Sequence, residues 1–131
     1  MHAAMMQALN HTVEGAHPLS EAIRNYFLVC HRMSDHIVLI YQEIHSLPSS
    51  QRKKVLENEE SIMALFIGVL EDSTARNALP VLEKNVLKLA AHNISVLGRM
   101  WAFRRWRLPA GYTIDEYIEV QTGFILSRYR L

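Results

Sequence analysis

Apolar residues recur along this chain at steps of three and four. From Leu19 they fall at Ala22, Ile23, Tyr26, Phe27, Cys30 and Met33, which is one stripe of an α-helix. His17-Pro18 gives that helix a start, because proline suits a first helical turn and Glu21 favours the positive end of the helix dipole. Ser34-Asp35 reads as a break and a fresh N-cap. A second helix is expected over 36–45, with Ile37, Ile40, Tyr41 and Ile44 inward. The run from Ile37 to Tyr41 also has the composition of a buried strand, but no second strand is evident to pair with it, which favours helix. Leu47-Pro48-Ser49-Ser50 is a loop and cap. The helix after it carries Val55, Ile62, Met63, Phe66, Val69 and Leu70 inward, with Arg52, Lys53, Lys54, Glu57 and Glu60 solvated. Residues 72–80 are polar, without period, and expected to be loop.

The pattern thickens over 81–106. Leu82, Val86, Leu89, Ala90, Ile94, Val96, Leu97, Met100, Trp101 and Phe103 cover more than one stripe, so this helix packs on two sides. Leu108-Pro109-Ala110-Gly111 is a turn. Thr113-Ile-Asp-Glu116 then fits the capping box, and Tyr112 and Tyr117 stand at the two positions of a hydrophobic staple. Ile114, Tyr117, Ile118, Gln121, Phe124 and Ile125 form the inner face of the last helix. The expected fold is an all-α helical bundle of five or six helices, the last two forming a dimerising hairpin. One face of that hairpin buries the domain's own core and the other needs a partner, for which a symmetric dimer is the natural solution.

Composition narrows the class. A chain of 131 residues suits one domain, and 50% apolar content with 14 basic against 13 acidic side chains argues against disorder. The single cysteine, Cys30, excludes a disulfide framework and a thiolate zinc cage. The apolar uncharged runs 61–70 and 89–98 are too short for the roughly 20 residues a bilayer needs, so no membrane association is expected. The N-terminus has no basic residue ahead of an apolar stretch and is not a secretory signal, so a cytoplasmic protein is expected. A net charge of +1 gives no global field for steering onto nucleic acid.

Candidate chemistry is sparse, and no enzyme is expected. His31 and Asp35 have the spacing of two metal ligands on one helix face, but the break at Ser34 falls between them. His92, beside Asn93 in the most apolar helix, reads as a hydrogen-bonded or rim histidine rather than a ligand, so no metal and no cofactor are expected. Cys30 lies on an inward stripe, and the five glycines are scattered singly, so neither a nucleophile nor a phosphate loop is present. Arg99-Met-Trp101-Ala-Phe103-Arg104-Arg105-Trp106-Arg107 is the one charged cluster that stands out. It suits solvation of a helix C-terminus, an anionic headgroup held by arginines, or nucleic acid. Tyr26, Met33, Tyr41, Met63, Phe66, Met100 and Trp101 could line a pocket or fill a core, and periodicity does not separate the two.

From His17 onward the chain resembles the C-terminal effector-binding and dimerisation domain of TetR/AcrR-family transcriptional regulators. The resemblance is carried by Val38-Leu-Ile-Tyr41-Gln-Glu43-Ile-His-Ser-Leu47-Pro48, by Ala90-Ala-His92-Asn93-Ile94, and by Gly98-Arg-Met-Trp101-Ala-Phe-Arg104-Arg105-Trp106. Its most specific piece is Tyr112-Thr-Ile-Asp-Glu116-Tyr117-Ile-Glu-Val-Gln121-Thr122. The resemblance implies a ligand-sensing, homodimerising domain of a regulator, a repressor by expectation, with a pocket for a small apolar or amphipathic effector. Carried over by position, Tyr41, Glu43, His92, Asn93 and Trp101 face that pocket, and Met63 and Phe66 join them as apolar walls. Pairing of subunits falls to Leu97, Met100 and Arg104 on one helix and to Ile118, Gln121, Thr122 and Ile125 on the other. Family members read DNA through a helix-turn-helix domain, for which the 17 residues before Pro18 leave no room. Residues 1–16 are expected to be a remnant of the connecting helix or a tail, and 17–131 the ligand-binding and dimerisation domain. An excised domain or a truncated homologue is therefore expected, contacting DNA only through a domain missing here. A rival of another class is a stand-alone carrier of acyl chains with an anionic head near Arg104 and Arg105.

Overall fold

The computed structural model describes residues 18–75, 83–106 and 112–129. These form five helices: α1 (Pro18–Arg32), α2 (Ser34–Gln42), α3 (Ser49–Ala75), α4 (Lys84–Arg104) and α5 (Ile114–Tyr129). The expected all-α fold is observed, and no strand occurs among the described residues, 37–41 included. The turn expected at 108–111 and the tail 1–16 lie outside the described residues.

The α1 stripe behaves as its spacing dictates. Leu19, Ala22, Ile23, Tyr26, Phe27, Val29 and Cys30 are buried, and α1 packs on α2, α3, α4 and α5. Aromatic rings knit this centre together. Tyr26 meets Phe66 of α3 edge-on at 5.3 Å between centroids, and Phe27 meets Tyr117 of α5 at 5.6 Å. The Tyr26 hydroxyl donates to the Ser95 carbonyl of α4 at 2.7 Å, which satisfies a phenol that would otherwise be costly to bury. Small residues on the facing side of α4, Ala91, Ser95, Gly98 and Ala102, are buried and let α1 approach closely.

The break between α1 and α2 falls at Met33, one residue before the expected cap. Ser34 is the first residue of α2, and Met33 holds the cap position without a side-chain bond. The Ser34 hydroxyl instead faces backwards, within hydrogen-bond distance of the Cys30 carbonyl at 3.1 Å and the His31 carbonyl at 2.8 Å. It thereby serves acceptors at the end of α1 that have no intrahelical donor. At the other end, α2 stops at Gln42 rather than continuing to His45, as the amides of Ser46 and Leu47 turn back onto the Glu43 carbonyl. α3 is longer than its apolar pattern suggests. Residues 72–75, expected as loop, continue the helix to Ala75, because a polar stretch without glycine or proline has nothing to stop it.

At the start of α5, the Thr113 hydroxyl accepts from the Glu116 amide at 3.1 Å and donates to the Glu116 carboxylate at 3.3 Å. The cap half of the expected box is therefore formed, and the carboxylate closes on the hydroxyl. α5 lies against both α1 and α4. Tyr117 is wedged between them, its ring 5.0 Å from Trp101 and its hydroxyl donating to the Leu97 carbonyl at 2.5 Å.

This packing makes the core sensitive to alkali. Burial pushes the Cys30 thiol from 9.0 to about 12 and the Tyr117 phenol from 10.0 to about 12, and it raises Tyr26 well above its ordinary range. An unfolded chain ionises these groups first, so it binds fewer protons than the native chain between pH 9 and 12. Stability is therefore intact below pH 9 and falls as pH rises toward 12, by about 1.4 kcal/mol per pH unit for each group involved. The urea midpoint is expected to drop between pH 9 and 11, with a shallower drop in Cys30→Ala. A midpoint that holds constant over that interval contradicts this packing.

Candidate functional site

Two recesses and one exposed corner hold part of the candidate residues. The first recess lies between α2, α3 and α4 and is lined by His36, Ile37, Ile40, Tyr41, Val55, Asn58, Glu59, Ile62 and Arg99, with a volume of about 100 Å³. Apolar side chains from the inward stripes of α2 and α3 form its walls. Its polar groups are ordered by one another. Tyr41 donates its hydroxyl to the Glu59 carboxylate, and Arg99 donates to the Ser95 hydroxyl at 2.7 Å while its guanidinium sits 5.6 Å from the centre of the Tyr41 ring. Burial, and then the bond to Glu59, raise the Tyr41 phenol above its ordinary range, so it serves here as a neutral donor.

The second recess is a groove of about 390 Å³ between α4 and α5, lined by Ala90, His92, Asn93, Val96, Leu97, Gln121, Phe124 and Ile125. Several large apolar side chains of these two helices are exposed. Leu89 is 57% exposed, Met100 41%, Val120 43% and Phe124 66%. The corner, where α2 meets the end of α4, exposes Leu39, Phe103 and Trp106. Beside it Arg105 pairs with Asp35 at 2.7 Å and lies over the Trp106 ring.

The expected pocket residues divide among these places. Tyr41 lines the first recess, with Met63 half-buried on the neighbouring α3. Glu43 is exposed at the cap of α2. His92 and Asn93 lie in the α4/α5 groove instead, since Asn93 stands two residues from both Ala91 and Ser95 and so points nearly opposite to that buried side. Phe66 is fully buried in the core. Trp101 is 4% exposed, and its indole donates to Nδ1 of His31 at 2.9 Å.

The expected pairing residues are placed as follows. Leu97, Gln121 and Ile125 line the groove, while Met100 and Arg104 are exposed on α4. Ile118 is buried and Thr122 half-buried, so they look inward more than outward.

Sequence reasoning missed Arg99 and Glu59 as partners of Tyr41. Arg99 is read there with the helix-end cations, and Glu59 lies between the solvated positions Glu57 and Glu60. No local spacing points to either as a partner of Tyr41, since the three residues come from three different helices. Among the described residues, no group of three histidine, cysteine, aspartate or glutamate side chains is placed to hold a metal ion. No described helix is long and apolar enough to cross a membrane.

Comparison with known proteins agrees with this architecture. The family model for the tetracyclin repressor-like C-terminal domain matches residues 14–127. No curated protein and no solved structure matches the chain. The matched span takes in all the helices described above except the end of α5, and by it the chain belongs to the tetracyclin repressor-like C-terminal domain family.

Proposed function

We propose that this chain is the effector-sensing and homodimerising part of a TetR-like transcriptional repressor. The observation that carries the reading is the apolar outer face of α4 and α5. Leu89, Met100, Val120 and Phe124 stand exposed around a groove that already contains Val96, Leu97 and Ile125. An exposed patch of this kind marks an interaction surface, and a two-fold axis allows the same patch to cover itself on a second copy. His92, Asn93 and Gln121 would then lie at that interface and supply hydrogen bonds across it.

The effector site in this reading is the recess around Tyr41. It adjoins α4 through Arg99, so an effector there contacts the same helix that pairs the subunits. Regulation follows as a population shift. An effector that binds one arrangement of the paired subunits more tightly favours it, and with it the spacing of DNA-reading domains attached to them. Half-sites one helical turn apart require those domains to sit about 34–36 Å apart. The protein acts in the cytoplasm in this reading, and it touches DNA only through such a domain.

A pair of variants tests which face does the pairing. Phe124→Glu sets a charge in the proposed interface and is expected to raise the dimer dissociation constant at least tenfold while leaving the helical content of the fold in place. Phe103→Glu, at the α2/α4 corner, is expected to leave association unchanged. Equal effects of the two, or an effect of Phe103→Glu alone, rule out the α4/α5 face.

A further inference from the structure

We infer that the recess around Tyr41 takes a small monocarboxylate, held by Arg99. This rests on the reading of that recess as the effector site and adds the chemical class of its ligand. Two arginines of the described residues have carboxylate partners. Arg24 has Asp115 at 3.3 Å and Arg105 has Asp35 at 2.7 Å. Arg99 is half-buried at the edge of the recess, yet among the described residues no carboxylate lies within ion-pair distance of it. Its guanidinium has one serine hydroxyl and one aromatic face as protein partners, so the rest of its donor fork is left to solvent or to a ligand.

A cation held partly out of water without a counter-ion is a receptor for an anion. A carboxylate matches the planar fork in a way that a single hydroxyl does not. The remainder of the recess defines the rest of the ligand. Ile37, Ile40, Val55 and Ile62 offer a branched apolar wall, and about 100 Å³ suits a body of a few carbon atoms rather than a long chain. Glu59 is the acidic group among the lining residues, and its carboxylate is engaged by the Tyr41 hydroxyl. It opposes any anion in the recess, so a carboxylate seated on Arg99 is offset by the guanidinium while a second negative charge is not. The preferred ligand is therefore a compact, branched monoanion, and a dicarboxylate of similar size is disfavoured.

Isovalerate, its uncharged amide isovaleramide, and methylsuccinate are the probes. Each is titrated into the whole chain at pH 7.5 and fixed ionic strength while amide and methyl shifts of Tyr41, Ile40, Val55 and Ile62 are followed by NMR. Isovalerate is expected to move these signals saturably and to bind at least tenfold more tightly than either other probe. In Arg99→Gln that preference over the amide should vanish, and Arg99→Lys should keep part of it. The comparison of probes on the unmodified chain needs no variant, so misfolding of Arg99→Gln leaves the test intact. If isovalerate and isovaleramide bind equally at these signals, the recess binds ligands but the carboxylate assignment is wrong. If neither probe moves these signals while the α4/α5 face still dimerises, the recess is not the site and the inference fails with it.

Discussion

Phe66→Ala is expected to cost about 3–5 kcal/mol of folding stability. Phe66 is fully buried on α3, and its ring meets Tyr26 edge-on at 5.3 Å. Truncation removes the apolar area of the ring and leaves a cavity whose walls, chiefly Tyr26 and its neighbours on α1, are already fixed by packing from four helices. Tyr26 is additionally tethered to the Ser95 carbonyl, so it cannot swing across to fill the space. Urea unfolding measures the loss directly. This separates two readings of the same residue that helical spacing alone does not resolve. A core residue loses stability on truncation whether or not ligand is present. The wall of an effector pocket would lose little stability and much affinity, so a cost under about 1 kcal/mol would move Phe66 out of the core.

Gly98→Ala carries the second large effect, expected at about 2 kcal/mol. A Cβ at Gly98 would lie 2.9 Å from Cδ2 of Tyr26 and closer still to Cε2. The obstacle is the rigid ring of a fully buried residue rather than a flexible tip, so α1 and α4 must separate to admit the methyl group. Overpacking of this kind costs about 1–3 kcal/mol, occasionally more. The better helix propensity of alanine offsets up to about 1 kcal/mol of a cost at the top of that range. Gly68 on α3 supplies the control, since nothing stands within 4 Å of a Cβ there. Gly68→Ala is expected to raise stability by about 0.5–1 kcal/mol. Denaturation curves in which both substitutions shift the midpoint in the same direction would contradict the close approach of α1 to α4.

The α1 stripe and the doubled apolar face of α4 were legible in the sequence for one reason. Both depend on residues three and four apart, and helical geometry turns that spacing into a face without help from the rest of the fold. The cap at Thr113 was legible for the same reason, being local. What escaped was set by partners distant in sequence. Ser34 has the residue type of an N-cap, yet its hydroxyl serves carbonyls of the preceding helix, because α2 follows α1 with a single residue between them. The end of α3 lacks apolar period but inherits helix from the turns before it. The Tyr41–Glu59 bond joins residues 18 apart on different helices, and Arg99 comes to the same recess from a third. No spacing rule connects them. His92 and Asn93 show the converse, in that their neighbours in sequence are buried while they themselves line the outer groove.

In the proposed function both the pairing of subunits and the transmission of an effector signal pass through the face shared by α4 and α5. Sedimentation equilibrium of the unmodified chain at micromolar concentration tests it most directly. The expected result is a species of twice the 15.1 kDa chain mass. A stable species at the mass of one chain, with Leu89 and Phe124 fully open to solvent labelling, would contradict it.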